Sequence, residues 1–321
     1  MKQGATTLAL LAAVALGVSP LRAQEEDPPP PENSAETTTE SMLQDADSSV
    51  SVALDEAPAS SLRWYSMLTN VPADWLGAGA AAVRPGNLPL LGEIALTTGA
   101  LMAFDHQTYS FSHNLYVSSP DVKFASNQIV RAGDGRYTIG LAAAFAFYGF
   151  AWSDQRALRT ASGTVEALLA SGIAVQVLKH IAGRESPQVV HDGTGKWRPF
   201  PSLAVYNRNQ PKYYAFPSGH ITTVMATVTV IAENYPEAGW IRPAGYGIVG
   251  LTALGLVNKG WHWYSDFPMA LALGYTFGHL AAHHDDAPGE PGAAGDGDTA
   301  ALHVLPGASA GGAGVTLALT F

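Results

Sequence analysis

Three short stretches decide how this chain is read: KHIAGRESP at Lys179–Pro187, FPSGH at Phe216–His220 and WHWYSD at Trp261–Asp266. Around them the sequence alternates apolar runs with Pro- and Gly-rich joints. The spacing predicts six helices, near Leu88 to Phe104, Tyr137 to Trp152, Ala161 to Ile181, Ile221 to Asn234, Ala244 to Val257 and Pro268 to His283. Asp105 to Arg136 reads as a long polar connection. Asp266 follows His262 by four residues, a spacing that on a helix puts both side chains on one face within hydrogen-bond reach.

These residue types suit transfer of a phosphoryl group. Such a group resists attack because its oxygens are negatively charged, so a site must neutralise them, supply a nucleophile and protonate the leaving oxygen. Lys179 and Arg184 offer charge to the phosphate, and Ser218 and the Gly219 N–H offer neutral donors. His220 and His262 divide the remaining work as general acid and nucleophile. An Asp266 carboxylate beside His262 would hold one tautomer of the imidazole and stabilise its cation. Taken singly, each residue also has an ordinary structural role. Ser218 could cap a helix, His262 could pack between Trp261 and Trp263, and Lys179 and Arg184 could sit at a helix C-terminus where its dipole favours them.

With all three motifs in order, the chain resembles the type 2 phosphatidic acid phosphatase superfamily, which includes bacterial acid phosphatases and vanadium haloperoxidases. The family pattern is Lys-x6-Arg-Pro, then Pro-Ser-Gly-His, then Ser-Arg-x5-His-x3-Asp. Lys179 and Pro187 match the first motif, Pro217 to His220 the whole of the second, and His262 and Asp266 the reactive end of the third. Arg184 stands where many bacterial members carry an additional arginine. The resemblance covers roughly Asn87 to His284. It implies an all-α six-helix bundle with the motifs at one end, a phosphohistidine formed on His262, a leaving-group proton from His220, and Asp266 as the residue that orients His262. It further implies metal-independent hydrolysis of a phosphomonoester or diphosphate on a small molecule or, more in keeping with the family, a lipid. No cofactor is implied, and vanadate is expected to inhibit as a transition-state mimic.

Two departures stand out. Ser186 occupies the arginine position of the first motif, and Gly255-Leu256 replaces Ser-Arg in the third. Lys259 and Arg198 are the candidates to compensate, with Lys196 also in the loop between the first two motifs. The rival readings are a phosphate- or lipid-binding envelope protein without turnover and, more remotely, a vanadium-dependent haloperoxidase. No residue set is read as a metal site. His180, His191 and the pair His283-His284 show no partner at ligand spacing and read as surface or helix-end residues, while Glu93 and Glu166 read as paired or surface-facing. The aromatics Trp197, Phe200, Tyr206, Tyr213, Tyr214 and Phe216 wall the pocket or simply pack.

The N-terminus reads as an export signal over residues 1–23, with Lys2, an apolar stretch from Leu8 to Val18 and Leu21-Arg22-Ala23 before the cut. Residues 24–60 read as an acidic linker without a core. Residues 1–60 hold ten acids against Lys2 and Arg22, a net of −8, which leaves −2 of the total −10 for the remaining 261 residues. No basic stripe points to nucleic acid. No cysteine is present, so disulfides and thiol chemistry are excluded. Most apolar runs are shorter than the roughly 20 residues a bilayer requires, so with the export signal the helical domain at 61–285 is expected in the periplasm or cell envelope, free or resting on a membrane surface, with a membrane-inserted bundle of Gly- and Ala-rich helices as the alternative. Within the Gly-rich tail at 286–321, alternation from Val315 to Phe321 allows pairing with Leu302 to Leu305 as a small β-hairpin.

Overall fold

The computed structural model describes residues 66–190, 195–284, 301–309 and 312–320; the expected export signal and acidic linker lie outside them. Each of the six helices read from the apolar pattern is present. With their observed bounds and the helices added between them, they are α1 (Ser66–Thr69), α2 (Val71–Val83), α3 (Leu88–Met102), α4 (Asp105–Ser118), α5 (Pro120–Ile129), α6 (Gly135–Trp152), α7 (Gln155–Ala182), α8 (Leu203–Arg208), α9 (Gly219–Asn234), α10 (Ile241–Asn258) and α11 (Phe267–His283).

The expected loop from Asp105 to Arg136 is instead α4, α5 and a 3-10 turn at Val130–Gly133. Local capping accounts for the break between the two helices. The Ser119 hydroxyl accepts from the Val122 N–H at 3.3 Å and Pro120 takes the first helical position. Caps also place the helices that follow: Asp134 accepts from the Arg136 N–H, and Asp154 from the Ala157 N–H, both at 3.0 Å. Gly183, at φ +56°, ends α7, and a Cβ there would lie 1.8 Å from the Arg198 carbonyl oxygen. The chain therefore leaves the helix sharply just after Lys179.

The centre of the bundle is α7, α9 and α11. Gly274 and Gly278 of α11 let its backbone approach α9, because a Cβ at either would come within 2.8 Å of the Thr222 or Ala226 carbonyl oxygen. α10 joins through an apolar core that includes Val130, Ile221, Met225, Val249, Leu256 and Phe267. Among the described residues, α7 is long and apolar enough to cross a membrane by length and composition, and the segment Pro85–Met102 passes the same test only together with α4, from which it is bent by 63°. Outer faces from α2 to α6 carry Leu76, Leu96, Phe111, Phe124, Phe147 and Phe150, each more than half exposed. Two strands, β1 (Ala301–Ser309) and β2 (Gly312–Thr320), pair antiparallel with Leu302 opposite Leu319 and Val304 opposite Leu317.

Candidate active site

His262 lies in the turn before α11 and is 2% exposed. Its Nδ1 is 2.7 Å from the Ala215 carbonyl oxygen and 3.3 Å from Asp266 Oδ2. A carbonyl only accepts, so Nδ1 bears the proton and Nε2 keeps its lone pair. Asp266 Oδ2 also accepts from the Trp263 N–H at 2.8 Å, and the Asp266 carbonyl accepts from the Ser218 N–H at 3.3 Å. The third motif is thereby tied to the start of α9.

Ser218 is fully buried and caps α9, its hydroxyl accepting from the Ile221 N–H at 3.5 Å. A Cβ on Gly219 would meet only Val175 at 3.6 Å and Lys179 Cε at 4.0 Å. The protein itself would accommodate it, so the space it would fill lies beside the lysine. Lys179, at the end of α7, donates from Nζ to the Tyr214 carbonyl at 2.6 Å and lies 4.8 Å from the Tyr214 ring centre. Burial lowers its ammonium to about 8.

His220, in the first turn of α9, is only partly buried, and its ring rests 5.6 Å from that of Trp261. Burial, followed by the field of His262 and then of Lys179, lowers its imidazole to about 4. His262 is lowered as well, chiefly by burial, against the opposing pull of Asp266. The fields of Lys259 and Asp134 also reach His220. Lys259 Nζ donates to Asn127 Oδ1 at 2.6 Å and sits 4.5 Å from the Trp261 ring. Partial burial and the nearby Arg131 both lower its ammonium.

Arg184 is held differently. Fully buried, it donates from Nη1 to Ser265 Oγ at 2.7 Å and Asp266 Oδ1 at 2.5 Å, and from Nη2 to Asp105 Oδ2 at 2.5 Å. Ser265 Oγ donates to the same Asp105 oxygen at 2.6 Å. The guanidinium lies 4.9 Å from the Trp197 ring and 5.7 Å from that of Trp263. It is therefore engaged with carboxylates behind the histidine. Burial nevertheless raises Asp105, outweighing the opposing pull of Arg184. Arg198 is ion-paired with Glu185, whose other oxygen accepts from the Lys196 N–H at 2.9 Å.

Both motif departures are filled by the interior. Ser186 is fully buried, its N–H donating to the Pro211 carbonyl. Leu256 is a fully buried core residue, and a Cβ on Gly255 would come within 2.8 Å of Ile129. Asp105, Arg131 and the Ala215 carbonyl lie outside the three motif stretches, and Ser265, inside the third, is not one of its pattern positions; the one signal for Asp105 is its place directly after an apolar run. The reading of His283 and His284 as partnerless is corrected. His283 Nδ1 lies 3.2 Å from Glu233, His284 Nδ1 3.0 Å from Asp74, and both carboxylates come from helices distant in sequence. Glu166, paired as expected, is buried beside His284.

Residues 161–287 match the model of the PAP2 superfamily. That stretch spans all three motifs, with Ser186 and Gly255-Leu256 as its departures from the family pattern. No curated protein matches the chain. Two solved structures resemble it: LpxE from Aquifex aeolicus, at 14% identity over 56% of this chain and 94% of that one with a TM-score of 0.41, and a transmembrane PAP2 type phosphatidylglycerolphosphate phosphatase from Bacillus subtilis, at 16% identity over 60% and 94% with a TM-score of 0.39.

Proposed function

We propose that this protein is a phosphatase of the cell envelope that hydrolyses a phosphomonoester or diphosphate, borne on a lipid, through a phosphohistidine on His262. The observation that carries this reading is the His262 hydrogen-bond pattern: Nδ1–H is held by Ala215 and Asp266, which leaves the Nε2 lone pair to attack phosphorus. The anionic substrate favours the His220 imidazolium, which protonates the departing oxygen; neutral His220 then takes a proton from the water that cleaves the P–N bond and releases phosphate. Lys179 and the N–H groups opening α9 stabilise the oxyanion. Lys259, with Arg131 beside it, supplies cationic charge near His220 in place of the arginines absent at 186 and 256. Arg184 works through Asp266 and does not touch the phosphate. The exposed apolar faces from α2 to α6 rest against lipid and bring the substrate headgroup to this end of the bundle.

The test is phosphate release from a panel of soluble esters and of lipid phosphates in vesicles, with wild type beside His262→Ala. Turnover of lipid phosphates, inhibition by vanadate and dependence on His262 support the proposal. Binding without turnover across the panel would favour the non-catalytic reading that Ser186 and Leu256 motivate, and halide oxidation with added vanadate and peroxide would favour a haloperoxidase. His220→Ala is expected to slow esters with poor leaving groups by about 10²-fold or more while sparing aryl phosphates, whose leaving oxygen needs no proton.

The lowered His220 also sets a pH response. Its folded value of about 4 lies below the ordinary 6.5 of an unfolded chain, so protonation costs native stability. The stability is full above pH 6.5 and is lost as pH falls toward 4, by about 3 kcal/mol at most. Bound inorganic phosphate favours the imidazolium and should reduce the loss. Urea unfolding at pH 7 and 4.5, with and without phosphate, checks this. An equal acid loss in His220→Ala would show that another group is responsible.

A further inference from the structure

Each of the two motif histidines has a cationic neighbour reached through one aromatic ring. Lys179 lies 4.8 Å from the Tyr214 ring, which is 6.3 Å from that of His262. Lys259, just after α10, lies 4.5 Å from the Trp261 ring, which is 5.6 Å from that of His220. Two hydrogen bonds tie this end of α10 to α5, from Lys259 Nζ to Asn127 Oδ1 at 2.6 Å and from Asn258 Nδ2 to Ser126 Oγ at 2.9 Å. Arg131 sits on the 3-10 turn that follows α5. That turn presses on the start of α9, since a Cβ on Gly133 would lie 2.6 Å from His220 Cβ and 2.8 Å from its carbonyl oxygen. Packing of α5 with α9 and α10 thus carries two cations that no motif supplies to the His220 end of the site.

Neither cation has an acid to meet it. Among the described residues, no ion pair includes Lys259 or Arg131. Asp134, which follows the turn, is engaged by Arg136 through Nε at 3.1 Å and Nη2 at 2.6 Å. Burial and then the field of Arg131 disfavour the Lys259 ammonium, so the pair is held together against its own repulsion. An anion bound by both would relieve it. Arg131 is exposed, and the ammonium keeps two donors beyond the one given to Asn127, so both can reach a ligand.

The place of His220 says what that anion is. A general acid stands at the leaving oxygen, so cations beside it face the group that departs. The alcohol that leaves a monoester is neutral and gives two cations nothing to bind. In a diphosphate the departing oxygen belongs to a second phosphate, which carries charge of its own and accepts charge-assisted hydrogen bonds. We propose, resting on the phosphohistidine mechanism above, that Lys259 and Arg131 bind the departing phosphate of a diphosphate and so give the site a preference for lipid diphosphates over monoesters. His262 Nε2 attacks the terminal phosphorus, the bond to the bridging oxygen breaks, and that oxygen leaves on the lipid monophosphate with the His220 proton. Water then cleaves the P–N bond, gives a proton to His220 and releases inorganic phosphate.

The experiment compares initial rates for the monophosphate and the diphosphate of one long-chain alcohol in the same vesicles. Wild type should favour the diphosphate in kcat/KM, and Lys259→Met and Arg131→Met should each lower the diphosphate-to-monophosphate ratio by about tenfold, as the loss of a charge-assisted hydrogen bond implies. Lys123→Met, the same change of charge on an exposed residue of α5, should keep the ratio and so exclude a general pull on the more anionic substrate. Calorimetry supplies a readout without turnover. Methylenediphosphonate, whose bridge is not cleaved, should bind more tightly than inorganic phosphate, and the difference should vanish in Lys259→Met. His262-dependent turnover with no diphosphate preference, or with a preference that survives in both variants, overturns the subsite and leaves the phosphatase reading intact. No turnover of either lipid, beside tight diphosphonate binding that needs Lys259, supports the subsite and overturns the phosphatase reading.

Discussion

His262→Ala is expected to lower phosphate release by at least about 10³-fold and to abolish the covalent intermediate. Of the two motif histidines, only His262 has its Nδ1 edge fixed by a carbonyl and a carboxylate, which leaves Nε2 free. His220 cannot take over, because it opens α9 and lacks the Ala215 and Asp266 contacts that orient His262. The decisive measurement is a quench into alkali, where a phosphorus–nitrogen bond to histidine survives, followed by localisation of the label. Wild type should carry one phosphoryl group per active chain on His262, and the variant none. Turnover in the variant at the wild-type rate would refute the mechanism.

Arg184→Ala should be the most damaging substitution for the fold. It leaves the Asp105 and Asp266 carboxylates buried without their cation, and breaking one partner out of such a pair costs about 3–5 kcal/mol. The same change releases Asp266 from one side, so catalysis should fall even in the fraction that remains folded. Arg184→Lys is expected to recover only part of the loss, because a single ammonium cannot reach Ser265, Asp266 and Asp105 as the planar fork does. Urea unfolding and rate measurements on both variants check this. A stable, fully active Arg184→Ala protein would show that the buried network does not position His262.

The contrast between Arg184 and Lys179 shows what sequence could tell. Motif spacing indicated that both cations approach the histidines, since both follow from the end of one helix. It carried no information on which carboxylate takes up the guanidinium, because Asp105 lies 79 residues earlier in a stretch that read as a polar connection. That stretch escaped notice because α4 and α5 are short and rich in polar residues, and the break between them is set by the Ser119 cap and Pro120. The six apolar helices were legible because their pattern is continuous and bounded by Pro and Gly. His283 and His284 were misread for the same reason as Arg184: their partners, Glu233, Asp74 and Glu166, come from other helices, and only packing brings them together.

The glycine seam between α9 and α11 has a bearing on catalysis. In the proposed mechanism one reacting imidazole, His220, rides on the first turn of α9 and the other, His262, is held by Asp266 just ahead of α11, so the width of that seam would set the gap the phosphorus must bridge. On that mechanism, alignment of acid and nucleophile is a property of two rods clamped side by side, and a methyl group inserted at Gly274, 2.6 Å from the Thr222 carbonyl oxygen, would splay them without altering a single reactive atom.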